Sequence, residues 1–223
     1  SQKTFTEWKS ETVDTKGTRQ KKKIRVGTLA YGDKYDSWWQ DNFKYMIDKY
    51  SNIEYDEFVI VKDIDPLFEE DESNFMNQLT IYKHFKEENY INLFMDIDVI
   101  IKGDCNKFLT EELHVCDGRQ WQSDVAYNNH PAVSDIASWS GDVSHIYQQF
   151  VDNIDMNYLK YPDGIDAYLS KEHNPKRYTE GYTSIRTLAD YSKYDVVLFN
   201  GHADTMLKRG WWHEYTMEPK PWW

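Results

Sequence analysis

Asn92-Leu93-Phe94-Met95-Asp96-Ile97-Asp98-Val99-Ile100-Ile101 is the stretch from which the rest of this sequence is read. Leu93 to Met95 is a short apolar run of the kind that forms a buried strand, and two carboxylates one residue apart follow it. In an extended backbone alternate side chains share a face, so Asp96 and Asp98 can converge on one ligand. Two like charges buried together need water, a cation or basic partners. At the end of a buried strand the pair suits a hard divalent cation bridging the phosphates of a nucleotide. The triplet alone is a weak signal, because roughly two Asp-x-Asp triplets are expected by chance in so acidic a chain. Phe58-Val59-Ile60-Val61-Lys62-Asp63-Ile64-Asp65-Pro66 is a second copy. It runs into Pro66, which marks a strand end and turn, whereas Asp96 adjoins its apolar run directly and apolar residues resume at Val99. The Asp96/Asp98 copy is preferred.

Upstream, Ile24 to Ala30 reads as the first core strand, ended by Tyr31-Gly32-Asp33. A helix is predicted from about Ser37 to Tyr50, capped by Asp36 or Ser37, with Trp39, Phe43, Met46 and Tyr50 on one stripe. Ile53 to Val61 gives a second strand, and Phe75, Leu79, Tyr82 and Phe85 recur at helical spacing. The order strand, helix, strand, helix, strand begins an α/β sheet with parallel strands, where ligands collect at the carboxyl ends. Tyr31-Gly32-Asp33 and Asp96-Ile97-Asp98 both lie at such ends. Residues 1–23 are polar and end in Lys21-Lys22-Lys23, which predicts a poorly ordered or loosely docked arm. The second half is less regular. Extended pieces are predicted at Leu113–Cys116, Asp124–Asn128, Val133–Trp139 and Asp195–Phe199, and helices over Val143–Asn153 and Asp163–Ser170. A Trp- and Pro-rich tail follows Thr205.

With 223 residues and a net charge of -12, a single domain over 24–223 has ample chain for a core. The acidity argues against coating DNA, which needs phosphate neutralisation by Lys and Arg, so no nucleic-acid partner is expected. Cys105 and Cys116 lack metal-finger spacing, and a reducing, cytoplasmic setting is the default. No run is long enough to span a bilayer. Nine tryptophans and seventeen tyrosines supply faces that stack on sugars, although packing is the commoner use of any one of them.

The glycine-containing turn near the start, Gln78-Leu79-Thr80-Ile81-Tyr82-Lys83, and Leu93-Phe94-Met95-Asp96-Ile97-Asp98 resemble the nucleotide-sugar half of GT-A-fold glycosyltransferases. The resemblance is to small bacterial, phage and viral members distantly related to the glycogenin group. Leu198-Phe199-Asn200-Gly201, Pro219-Lys220-Pro221-Trp222 and Ser134-Asp135-Ile136-Ala137-Ser138-Trp139 echo later parts of that pattern. It implies a Rossmann-type α/β/α sandwich with a mixed, mostly parallel central sheet, split into a nucleotide-binding half (24–104) and an acceptor-side half (105–223). The chain departs from the pattern in two places. Asn200 stands where relatives often carry a metal-binding His, with His202 just beyond, and Pro162-Asp163-Gly164-Ile165-Asp166 only partly matches the relatives' Gly-Asp-Gln segment.

The resemblance implies a metal-dependent transferase moving a hexosyl or deoxyhexosyl group from a nucleoside-diphosphate sugar, uridine-diphosphate first, to a glycan or other hydroxyl acceptor. Ala30, Tyr31, Gly32 and Tyr35 would shape the base and ribose pocket, and Lys83 would meet ribose or pyrophosphate. Asp96 would contact ribose or the metal through water, and Asp98 would bind Mn²⁺ or Mg²⁺ directly, with Asn200 or His202 completing the shell. Asp166 or Asp135 would lie near the anomeric carbon or the acceptor hydroxyl. An inverting enzyme needs a carboxylate base there; a retaining one need not. Each has a plainer reading: Tyr31 and Tyr35 as packing, Lys83 as a surface lysine, His202 as a loop residue, Asp166 as a first-turn helix charge. The implied setting is cytoplasmic, that of the host if the source is viral, with a neighbouring domain in a larger parent protein as a further partner. Two other functions fit parts of the sequence. Haloacid-dehalogenase-like phosphatases place Asp-x-Asp after an apolar strand, but usually follow it with Gly-Thr, whereas Val99-Ile100 favour continued extension. A non-catalytic carbohydrate- or protein-binding domain would use the aromatic surplus alone. The tail tryptophans, Trp211-Trp212 and Trp222-Trp223, are expected to cover the donor pocket, touch the acceptor or dock a neighbour, because water is a poor place for such a patch.

Overall fold

The computed structural model describes residues 21–68, 75–121, 129–187, 190–200, 203–208 and 210–217. Most of the expected arm, the extended piece at Asp124–Asn128, His202 and the closing Trp222-Trp223 lie outside the described residues.

β1 (Lys23–Leu29), α1 (Ser37–Tyr50), β2 (Glu57–Val61), a 3₁₀ turn (Met76–Leu79) running into α2 (Thr80–His84), and β3 (Tyr90–Met95) follow the predicted order. β1 pairs in parallel with both β2 and β3. The cap of α1 is Asp36, whose carboxylate accepts from Trp38 N at 3.1 Å, and its buried stripe is Trp39, Asn42, Phe43, Met46 and Ile47. Three boundaries differ from the reading above. The arm ends earlier, because Lys23 already belongs to β1 and Lys22 Nζ reaches Ser140 Oγ (2.7 Å) and Glu111 (3.1 Å). β2 begins at Glu57, since residues 53–56 approach the sheet without joining its ladder. The second helix is short, and Phe75 stays outside it.

After β3 the chain bends at Ile97–Asp98 and enters a second sheet as β4 (Val99–Ile101). β5 (His114–Asp117), β6 (Ala132–Ser140) and β7 (Lys176–Arg177) return to the first sheet, giving the order β2-β1-β3-β6-β5-β7. β6 is antiparallel to both neighbours and the other strand pairs are parallel. The small sheet is β4-β9-β8, from β8 (Tyr182–Ser184) and β9 (Val196–Leu198). The remaining helices are α3 (His145–Val151), α4 (Ile154–Lys160), α5 (Ile165–Tyr168, continued as a π turn to His173) and α6 (Ala203–Lys208).

Two cores flank the large sheet. On one face Val26, Leu93 and Met95 pack with Trp39, Phe43 and Met46 of α1 and with β4 and β9. On the other, Phe94 and Trp139 pack with Leu79, Tyr82, Ile146, Phe150 and Tyr168. The result is an α/β/α sandwich whose mixed sheet draws strands from both halves of the chain. Arg25 ties its first three strands together. Buried at 4% exposure, it donates to Glu57 (2.8 Å), Glu87 (2.9 Å) and Asn92 Oδ1 (2.9 Å) and lies over the Tyr90 ring. Among the described residues no helix is long and apolar enough to cross a membrane.

The tail packs onto this frame. Trp212 is buried against Phe199, with its indole N–H donating to Met206 O at 2.6 Å. Met217 N donates to Asn42 of α1 at 2.9 Å. Trp212 is therefore a core residue; the expected apolar patch is at least partly absorbed by the fold.

Gly27 is required in β1 because an added Cβ would overlap the ring of Phe94, which is itself wedged against Trp139 and Phe85. Gly27→Ala is expected to lower stability by about 1–3 kcal/mol through overpacking, read as a drop in the urea midpoint at unchanged slope.

Candidate active site

The carboxyl end of β3, the start of β6, the start of α5 and the end of β9 meet at one edge of the sandwich. They line an open cleft of about 220 Å³ with Asp96, Asp135, Ser134, Asp166, Asn200, Arg186, Gln78, Asp163, Phe75 and Ile165. Asp98, 3% exposed, lies behind it. The two motif aspartates come together by a different route from the one expected. They do not alternate along one strand; the bend between the two sheets holds them near each other.

Asp135 is delivered by an irregularity in β6. Val115 pairs with Ala137, but Cys116 pairs with Val133, so Ser134, Asp135 and Ile136 bulge out of the β5 ladder. Bulges beside functional sites re-aim side chains in this way. Asp96 N donates to Asp135 O at 2.8 Å, which fixes the two backbones together. Asn200 Nδ2 donates to the Asp135 carboxylate and Ser184 Oγ to Asn200 Oδ1. Asn200 adopts a left-handed conformation (φ 44°), which asparagine tolerates better than most residues, at the turn leaving β9. Its carboxamide thus orients Asp135.

Asp166 is held by a second set of bonds. Ser134 N and Oγ both donate to its Oδ1 at 3.0 Å, and Gln78 Nε2 donates to Ser134 O at 2.9 Å. Among the described residues its Oδ2 takes no hydrogen bond. The first-turn reading of Asp166 holds, since it opens α5, yet the helix start points into the cleft.

The electrostatics follow from crowding. Burial, then Asp135, Asp98 and Asp166, push the Asp96 carboxyl well above the ordinary carboxylate range. Burial, then Asp166 and Asp98, do the same to Asp135, while Arg186 and Asn200 pull it back. Burial raises Asp98 to about 6 against a hydrogen bond from its own backbone N–H and the field of Lys34, and raises Asp166 to about 6 against the Ser134 bonds, His130 and Arg186. Asp98 Oδ2 is buried with no hydrogen-bond partner. An orphaned carboxylate oxygen of this kind needs a proton or a cation. The surrounding donors are hard oxygens, which suit Mg²⁺ or Mn²⁺ rather than a soft metal. Among the described residues no three His, Cys, Asp or Glu side chains gather around one point as a complete metal shell.

The other expected contacts divide. Tyr35 is half-buried, packs edge-on against Trp39 and faces Asp98, Asp96 and Asp204, which with burial raise its hydroxyl. Ala30 and Gly32 (φ 73°) form the turn at the end of β1, with open space around Gly32. Tyr31 turns to the opposite core, its hydroxyl near Asn77 O (3.4 Å) and Thr80 Oγ1 (3.3 Å). Lys83 is not brought to the cleft. Its ammonium meets Asp65 at 3.1 Å and the Tyr147 hydroxyl at 3.2 Å, beside a separate cavity under β2. That pairing also accounts for the second Asp-x-Asp copy, whose Asp65 is held by Lys83, Tyr147 and the Leu67 N–H. Arg186, Gln78 and Ser134 were given no role from sequence. Arg186 donates to Asn200 O at 3.3 Å and is a cation facing both Asp135 and Asp166, yet nothing in Thr183-Ser184-Ile185-Arg186 marks it.

No family model matches the sequence, and no curated protein is similar to it. Among solved structures, a glycosyltransferase involved in the glycosylation of the major capsid of PBCV-1 superposes with a TM-score of 0.56 at 11% identity, covering 82% of this chain and 96% of that one. The apo-form glycosyltransferase GlyE of Streptococcus pneumoniae TIGR4 superposes with a TM-score of 0.51 at 12% identity, covering 70% of this chain. The match spans 45% of the GlyE chain, less than half its length. At these identities the likeness is one of fold: the chain has a GT-A-like glycosyltransferase fold.

The acidic cluster has a measurable consequence in chelator-treated protein. Asp98 and Asp166 bind protons with folded values of about 6, above the ordinary 3.8. Between those values the folded state holds more protons than the unfolded one. Their contribution to stability therefore falls as pH rises through the window and is level above it. Asp98→Asn is expected to be about 1–3 kcal/mol more stable than wild type near pH 8, the difference vanishing below about pH 4, as read from urea midpoints.

Proposed function

We propose that this protein is a metal-dependent glycosyltransferase, moving a hexosyl or deoxyhexosyl group from a nucleoside-diphosphate sugar, uridine-diphosphate first, to a hydroxyl of a glycan acceptor. The observation that carries the reading is the buried, unpartnered Asp98 Oδ2 at the carboxyl end of the parallel strands, beside a cleft of further carboxylates on a glycosyltransferase fold.

In this reading the nucleoside lies against the Ala30–Gly32 turn and Tyr35. Asp98 is the direct ligand of a Mn²⁺ or Mg²⁺ ion, and Asp96 meets that ion through water or takes a ribose hydroxyl. The cation, when bound, neutralises the charge that develops on the departing nucleoside diphosphate. Asn200 holds Asp135 against the metal side of the cleft, so that its carboxylate does not swing into the sugar. Asp166, fixed through Oδ1, presents Oδ2 to the cleft and receives the proton of the acceptor hydroxyl. A value of about 6 leaves it mostly ionised yet basic at neutral pH, as a general base requires. The bond from the anomeric carbon to the β-phosphate oxygen breaks as the bond to the acceptor oxygen forms. Arg186 favours the ionised forms of both Asp135 and Asp166. The phosphatase alternative needs a loop after the second aspartate, whereas Asp98 leads straight into β4.

The test is calorimetric titration of uridine, guanosine, cytidine and adenosine diphosphates with and without Mn²⁺. One nucleotide is expected to bind only with the metal, and Asp98→Ala to weaken that binding by about 100-fold or more. Asp166→Asn is expected to bind it normally while losing about 10²–10⁴-fold in turnover of the matching sugar nucleotide. Equal binding by wild type and Asp98→Ala, or none under any condition, would sink the reading.

A further inference from the structure

We propose that Phe75 is the stacking platform for the acceptor's sugar ring, which makes the acceptor a pyranose-bearing glycan rather than a protein or lipid hydroxyl. The inference rests on the donor reading above and extends it to the second substrate.

Hydrogen bonds place the cleft residues: Asn200 holds Asp135, Ser134 holds Asp166, and His130 holds Asp163 at 3.0 Å. Gly164 and Ile165 immediately precede Asp166, and Phe75 lies beside Gly164. Phe75 therefore shares the cleft with Asp166, on the side of the α5 start, whereas Ala30, Gly32 and Tyr35 are not among the residues that line it.

Phe75 is 60% exposed. Leu67, Met156 and Leu159 are also open to solvent, but of these four apolar side chains only Phe75 lines the cleft. Gly164 (φ 87°) is its neighbour: a Cβ built there would lie 3.7 Å from Phe75 Cδ2, so a side chain at this position would cover part of the aromatic residue that glycine leaves open. Asp163 and Asp166 line the same part of the cleft, Asp163 steadied by His130 Nε2 at 3.0 Å. An exposed aromatic side chain bordered by carboxylates matches the two surfaces of a pyranose: apolar C–H groups on one face, hydroxyl donors at the rim. A peptide side chain or lipid tail would cover the ring but bring no rim of hydroxyl donors to Asp163 and Asp166.

The experiment is saturation-transfer NMR with a panel of methyl pyranosides (glucoside, galactoside, mannoside, xyloside and rhamnoside), with and without the nucleoside diphosphate and Mn²⁺. Wild type is expected to transfer saturation to the ring C–H protons of at least one pyranoside. Phe75→Ala should weaken that binding about tenfold, and Phe75→Trp should retain it, with nucleotide affinity unchanged in both variants. Equal transfer in wild type and Phe75→Ala, or none in wild type, overturns the platform. Failure of every nucleotide to bind overturns the donor reading instead, and the sugar arm without nucleotide still decides the role of Phe75.

Discussion

Three carboxylates lining one cleft, with Asp98 buried beside them, cannot all ionise at neutral pH without a compensating cation, and the architecture around them is arranged to keep them there. Asp96, Asp98, Asp135 and Asp166 raise one another's proton affinity, and burial raises it further. Left to relax, such side chains would turn to water. They are prevented by specific bonds: Ser134, itself held by Gln78, on Asp166; Asn200, itself held by Ser184, on Asp135; and the bend that carries Asp98 between two sheets. The strain is electrostatic and local. Only a proton or a cation relieves a repulsion of this sign.

The frame that resists this repulsion is built from long-range contacts on both faces of the sheet. Arg25 cross-links three parallel strands from within, using a fully charged group that is itself satisfied on several sides. Phe94, Trp139 and Tyr82 stack across β3, β6 and α2 directly behind the cleft. Trp212 closes the opposite layer against Phe199, one residue before Asn200. Rigid support of this kind is what a pre-organised electrostatic site needs.

The likeness to two glycosyltransferases at 11% and 12% identity illustrates how a layered α/β architecture persists when the residues that fill it do not. Function therefore has to be argued from the cleft. There the oxygen-rich donor set and the placement at the carboxyl ends of parallel strands carry more weight than the overall superposition.

Much of the first half was legible because its signals are local. The apolar runs of β1 and β3, the 3.6-residue stripe of α1 and its Asp36 cap follow from side-chain periodicity and orphaned helix N–H groups, which any nearby window of sequence contains. The acidic pair was legible for the same reason, as a polar interruption of an apolar path. What only the tertiary structure decided were the meetings between distant segments. Lys83 was drawn off to Asp65, eighteen residues away, rather than to the cleft. Arg186 arrived beside Asp135 and Asp166 without any motif to announce it. The bulge in β6 depends on how β5 pairs with it, and a strand's own sequence specifies its alternation but not its partner's register. Periodicity is encoded over a few residues; convergence of charges is set by chain topology, and so it was visible only once the strands were paired.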